Sequence, residues 1–135
     1  MSFANQILLF IISFGSFLLI DLFWLGVVAK GFYNSYLDHL MAETVNWTAA
    51  IIFYFLFVIG VFVFVIKPSV NQADVLTVIW KGALFGLITY ATYDLTNLAT
   101  LKEWPLAVTI VDMIWGTILS LSVSLIGFYV GSALF

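Results

Sequence analysis

Three aspartates, Asp21, Asp94 and Asp112, stand inside otherwise apolar stretches of this chain. A carboxyl group in such a place can hold a proton, meet a cation, or act as acid or base on a bound molecule. Ionised within lipid, each would cost on the order of 3 kcal/mol even on the lenient insertion scale, so each has to face a bundle interior, a wet cavity or a partner. Opposite charge is scarce. The four basic residues are all lysines: Lys30 and Lys102 lie near the ends of apolar runs, Lys67 lies between two of them, and Lys81 is about 20 Å from Asp94 along the same helix. Three deep acids without a matching deep base must be partly protonated, hydrogen-bonded to neutral donors, or neutralised by a bound cation.

Neutral donors and aromatic rings surround these acids. Tyr90, Tyr93, Asp94 and Asn97 follow one another at i, i+3, i+4 and i+7, the spacing of one helix face. Asp21 is followed one turn later by Trp24, and Asp112 by Trp115, so the pattern Asp-x-x-Trp occurs twice. The expected ligand-binding set is therefore Asp21, Trp24, Tyr90, Tyr93, Asp94, Asn97, Asp112 and Trp115, with aromatic walls for an organic body and carboxyls for its charge. His39 and Glu43, at i, i+4, are the candidate metal ligands over the mouth of such a cavity. No phosphate loop, HExxH or Gly-x-Ser-x-Gly motif is present, and the absence of cysteine excludes thiol nucleophiles and thiolate metal sites. No cofactor is expected.

The elements that carry these residues follow from composition. With 64% hydrophobic and 8% charged residues in 135, the chain cannot make a water-soluble surface, and a net charge of −3 offers nothing to nucleic acid. About 20 apolar residues cross a bilayer as a helix. Four runs meet that length, over 3–29, 47–66, 75–98 and 105–132, which predicts an all-α, four-transmembrane-helix up-down bundle forming a single domain. Between the first two runs, Phe32, Tyr33, Tyr36, Leu37, Leu40 and Met41 recur at helical spacing and predict a short amphipathic interfacial helix over 32–44. Both termini then share one face of the membrane, side A, and all three aspartates lie roughly 6 to 14 Å below the other, side B. Lys67 and Lys81 on side A balance Lys30 and Lys102 on side B, so lysine placement leaves orientation open. Gly82 and Gly86 form a GxxxG pair, and Gly116, Ser120, Ser124, Gly127 and Gly131 continue small residues along the fourth run, which predicts close packing of these helices together or against a second copy.

Several stretches together resemble a family of small four-helix bacterial inner-membrane proteins classed as a domain of unknown function. They are Asp21-Leu22-Phe23-Trp24-Leu25-Gly26, Thr89-Tyr90-Ala91-Thr92-Tyr93-Asp94-Leu95-Thr96-Asn97, Trp104-Pro105 and Asp112-Met113-Ile114-Trp115-Gly116-Thr117. The resemblance implies a multi-pass bacterial inner-membrane location and a helical bundle, and no activity. From the residues themselves, the expected function is binding of a proton-coupled cation or small amphiphilic ligand in the Asp/Tyr/Trp-lined cavity, as in a small transporter. The bilayer and a second copy of the chain are the expected partners. Two other readings stay open: a membrane enzyme acting on lipids by aspartate acid–base chemistry, and a non-catalytic accessory subunit.

Overall fold

The computed structural model describes residues 1–135. Four helices are long and apolar enough to cross a membrane, α1 over Phe3–Val28, α3 over Trp47–Gln72, α4 over Val75–Thr100 and α5 over Leu106–Leu134. A short helix, α2, occupies Lys30–Leu37 and runs on as one tighter turn through Leu40. No strand is present, and the helices pack as an antiparallel bundle. Large apolar side chains such as Leu19, Phe23, Leu56, Phe64 and Ile114 stand exposed around it, as a lipid-facing surface requires.

Local chemistry explains the helix ends. Ser2, Asn46 and Asp74 each accept a hydrogen bond from a backbone N–H of the first turn that follows, so α1, α3 and α4 begin on side-chain caps. Pro105 precedes α5, where a missing N–H costs nothing. Sequence reasoning ends the second span at 66, whereas α3 continues through Lys67 and Pro68 to Gln72. Pro68 removes one backbone donor, and the helix accommodates this by widening into a π-type turn over Phe62–Ile66. The link to α4 is then only Ala73, in the left-handed conformation at φ 52°, and Asp74.

The interfacial helix is shorter than its periodicity predicts. It stops at Leu40 instead of residue 44, because Leu37 leaves helical geometry and the backbone is extended by Met41. Glu43 and Thr44 form a bend before the Asn46 cap, so Glu43 is not on a helix.

Helix α5 is the centre of the bundle. It packs along the whole of α4 and also against α1 and α3. The α4–α5 seam has a regular register that steps by four residues on each helix. A Cβ added to Gly82 would lie 2.9 Å from that of Ser124, and one added to Gly86 would lie 2.6 Å from that of Ser120. One turn further, the ring of Tyr90 lies directly over Gly116. Glycine is required at these rungs because any side chain would force the backbones apart. On the other flank α1 buries Leu9, Ser13, Phe17 and Asp21, again every fourth residue. Both buried stripes lead toward side B, and both arrive at an acid.

Candidate functional site

The rung that follows Tyr90 and Gly116 in the α4–α5 register is Asp94 opposite Asp112. The two carboxyl groups face each other within hydrogen-bonding reach. Asp94 is 0% exposed, and neither of its oxygens receives a hydrogen bond from any donor in the chain. Two ionised carboxylates are both acceptors and cannot bond to each other, so a proton, a cation or a bound water has to supply the missing partner.

Asp112 and Asp21 are better provided for. The two Asp-x-x-Trp segments, on antiparallel α1 and α5, lie side by side with their indoles stacked at 4.2 Å between centroids and 6° between planes. Trp115 Nε1 donates to Asp21 Oδ1 across the helix pair at 3.2 Å. By the symmetry of the motif Trp24 would donate to Asp112. It does so through an intermediary: Trp24 Nε1 donates to the Tyr33 hydroxyl at 3.1 Å, and that hydroxyl donates to Asp112 Oδ1. The repeat in the sequence therefore builds one structure, a pair of stacked tryptophans whose N–H groups hold an aspartate each, one directly and one by relay.

Tyr33 belongs to α2 and comes down onto the site from side B. The end of α1 makes this approach. Its last turn widens over Trp24–Val28, where the N–H of Ala29 bonds to the carbonyl of Trp24 at 2.8 Å, and Ala29 then leaves helical geometry so that α2 can turn back. Burial above all, then the hydrogen bond to Asp112, holds the Tyr33 phenol far above the usual tyrosine range, so it stays a donor. Nothing in the local sequence distinguishes Tyr33 from the apolar face of an interfacial helix. Its only separate mark is a hydroxyl on that face.

The remaining predicted residues divide. Tyr90 lies at the centre, with its phenol in electrostatic reach of Asp21 and Asp112 and its ring edge-on to Phe57 at 6.1 Å. Tyr93 does not join them. It is 56% exposed and packs edge-on against Trp104 at 5.7 Å, on the lipid side of α4. Asn97 is half-buried and makes no side-chain hydrogen bond to any of the three acids. His39 and Glu43 do not pair, since the helix that would align them has already ended, and His39 Nε2 instead lies 4.0 Å from Glu103 Oε2 across the side-B surface. No three His, Asp or Glu side chains converge in the arrangement a metal ion needs. What the acid pair can hold is a single small charge.

The match to known families covers these elements as a unit. A family model described as "Predicted membrane protein (DUF2177)" matches residues 6–129. The chain belongs to this family. No curated protein and no solved structure matches it. The matched DUF2177 span contains the tryptophan pair, Tyr33 and all three acids, so the site lies wholly within the family's own domain. DUF2177 is a family of membrane proteins of unknown function.

Proposed function

We propose that this protein binds a monovalent cation, an inorganic ion or the ammonium group of an amphiphile, in exchange for a proton held between Asp94 and Asp112, in the inner membrane of a bacterium. The observation that carries this reading is Asp94, fully buried, without a donor, opposite a second acid. A structural carboxylate in a membrane helix is ordinarily satisfied by neutral donors, as Asp21 is by Trp115. Asp94 lacks that provision although the neighbouring turns are rich in hydroxyl groups.

Exchange of one proton for one cation leaves the charge of the buried pair unchanged, and the step avoids the desolvation cost of adding or removing net charge. Tyr33, Trp24 and Trp115 keep Asp112 and Asp21 in fixed positions while the occupant changes. In a transporter the same exchange would be made from each side of the membrane in turn, with α2 covering the site from side B.

The test is proton release. Purified protein in nanodiscs, held in weak buffer, is given sodium, potassium and tetramethylammonium in turn, and the pH of the medium is followed. At least one probe is expected to displace a proton from the wild type, and Asp94→Asn is expected to abolish that release while still purifying as a folded protein. Release that survives unchanged in Asp94→Asn removes Asp94 from the site.

A further inference from the structure

We infer that the Tyr33 hydroxyl is the relay by which the proton of the Asp94–Asp112 pair passes to and from side B while α2 stays in place. This rests on the proton held by the pair in the exchange just described and names the route that proton takes. The hydroxyl donates to Asp112 Oδ1 and accepts from Trp24 Nε1 at 3.1 Å. A phenol oxygen has one proton to give and two lone pairs, so one lone pair is left for a water. Tyr33 is placed to meet one: it is only half-buried, on a helix with no buried residue.

The other routes are closed to a proton. Laterally, the acids are walled by the stacked indoles of Trp24 and Trp115, and an indole N–H donates without accepting, so it cannot hand a proton on. Toward side A, the hydroxyls of Ser120 and Ser124 are buried without partners and are the groups that could carry a proton. Their spacing breaks the chain. They are one turn apart, about 6 Å, and Ser120 is eight residues from Asp112, about 12 Å along α5. A direct transfer needs a hydrogen bond of about 3 Å. Water cannot bridge the gap where Cβ atoms added to Gly82 and Gly86 would lie 2.9 and 2.6 Å from those of Ser124 and Ser120. Tyr90 does not help, since Asp112 and Asp21 accept from Tyr33 and Trp115 instead.

The step balances on one oxygen. Inward, a hydronium ion on side B gives a proton to the phenol oxygen as the phenol O–H gives its own to Asp112 Oδ1. One O–H bond forms, one breaks, and the phenol is neutral before and after. A turn of the hydroxyl and of the carboxyl resets the relay with the proton between Asp112 and Asp94. Outward, the same transfers run in reverse, onto a water. Because burial and the bond to Asp112 keep the phenol from ionising, the two transfers occur together.

The experiment follows the infrared band of protonated carboxyl groups after a jump from alkaline to acid buffer, with the protein in nanodiscs; the part of the band that Asp94→Asn removes belongs to the pair. Tyr33→Phe is expected to reach the same final band on the order of 100-fold more slowly. Tyr36→Phe removes a hydroxyl from the same helix, where the ring packs on Phe32, and should match the wild type. A rate in Tyr33→Phe that is unchanged or faster overturns the relay, because the proton then travels in water that enters past an opened α2. Should Tyr33→Phe not fold, the wild type still decides. Two protons in flight make the rate fall along a curve as deuterium replaces hydrogen in the solvent, and a rate that falls linearly or not at all overturns the relay. In each of these cases the exchange site stands. If acid buffer raises no band that Asp94→Asn removes, the pair holds no proton, and the exchange reading fails together with this one.

Discussion

Replacing Asp94 by asparagine separates a functional acid from a structural one through stability alone. In the wild type the Asp94 carboxyl faces Asp112, and no donor of the chain reaches either of its oxygens. Asparagine is nearly the same size and brings an amide N–H₂, so its side chain can donate to Asp112 at any pH. A hydrogen bond to a charged group contributes about 1.5–3 kcal/mol to stability. Where a proton already bridges the wild-type pair, at the acid end of the range, the substitution should therefore be close to neutral. In alkaline buffer no proton bridges the pair, and the wild type then keeps two facing acceptors where Asp94→Asn keeps its donor. The advantage of the variant should grow from near zero in acid buffer to about 1.5–3 kcal/mol in alkaline buffer, where no proton bridges the wild-type pair. Denaturant unfolding in mixed micelles, followed by tryptophan fluorescence, measures the difference across that range. A variant that is destabilised by more than about 1 kcal/mol at every pH would mean that the Asp94 carboxylate already has its partners, and the reasoning from its missing donor would be wrong.

Two further substitutions test the parts that hold the site. Tyr33→Phe removes the donor to Asp112 and the acceptor of Trp24, and should cost about 1.5–3 kcal/mol with faster amide exchange in α2; because the folded phenol is held above its ordinary range, this contribution is complete below about pH 10 and is lost only as pH rises beyond it. A cost that changes between about pH 6 and pH 8 would show that some other group controls the contact. Gly86→Ala places a methyl group against the Gly116 carbonyl and Ser120 and should cost about 1–3 kcal/mol by unfolding, whereas Gly15→Ala meets nothing within 4 Å and should gain about 0.5–1 kcal/mol. Equal effects at the two glycines would contradict the close α4–α5 seam.

Depth was legible in the sequence, and direction only in part. The common layer of Asp21, Asp94 and Asp112 follows from their distances to the ends of the apolar runs, and the structure places all three among buried residues. The face shared by Tyr93 and Asp94 does not hold, because adjacent residues on a helix point about 100° apart. Once Asp94 and Tyr90 turn inward, Tyr93 has to face lipid. The pairing of His39 with Glu43 failed for a different reason: apolar spacing continued to Met41, but the backbone had no helix left to continue. Tyr33 was out of reach because its contact with Asp112 depends on the widened last turn of α1, and a π-type turn leaves no periodic signal. The Asp-x-x-Trp repeat was visible, but its meaning required antiparallel α1 and α5 at one level, which a single chain of letters does not state.

The acid pair itself was nearly legible, and the reason bears on function. Positions 82, 86, 90 and 94 on α4 and 124, 120, 116 and 112 on α5 are each spaced by four, and the first three rungs pack glycine against a larger neighbour. A seam this tight fixes the register, since sliding by one turn would drive Tyr90 onto Ser120 in place of Gly116. The fourth rung then has no freedom: the packing that stabilises the bundle forces Asp94 onto Asp112. A fold that needed only a close seam would be served by alanine, serine or leucine there at less cost than two facing acids. The glycine rungs and the acid rung thus work against each other energetically, and the proposed exchange of a charge at the acid pair is a reason to keep both.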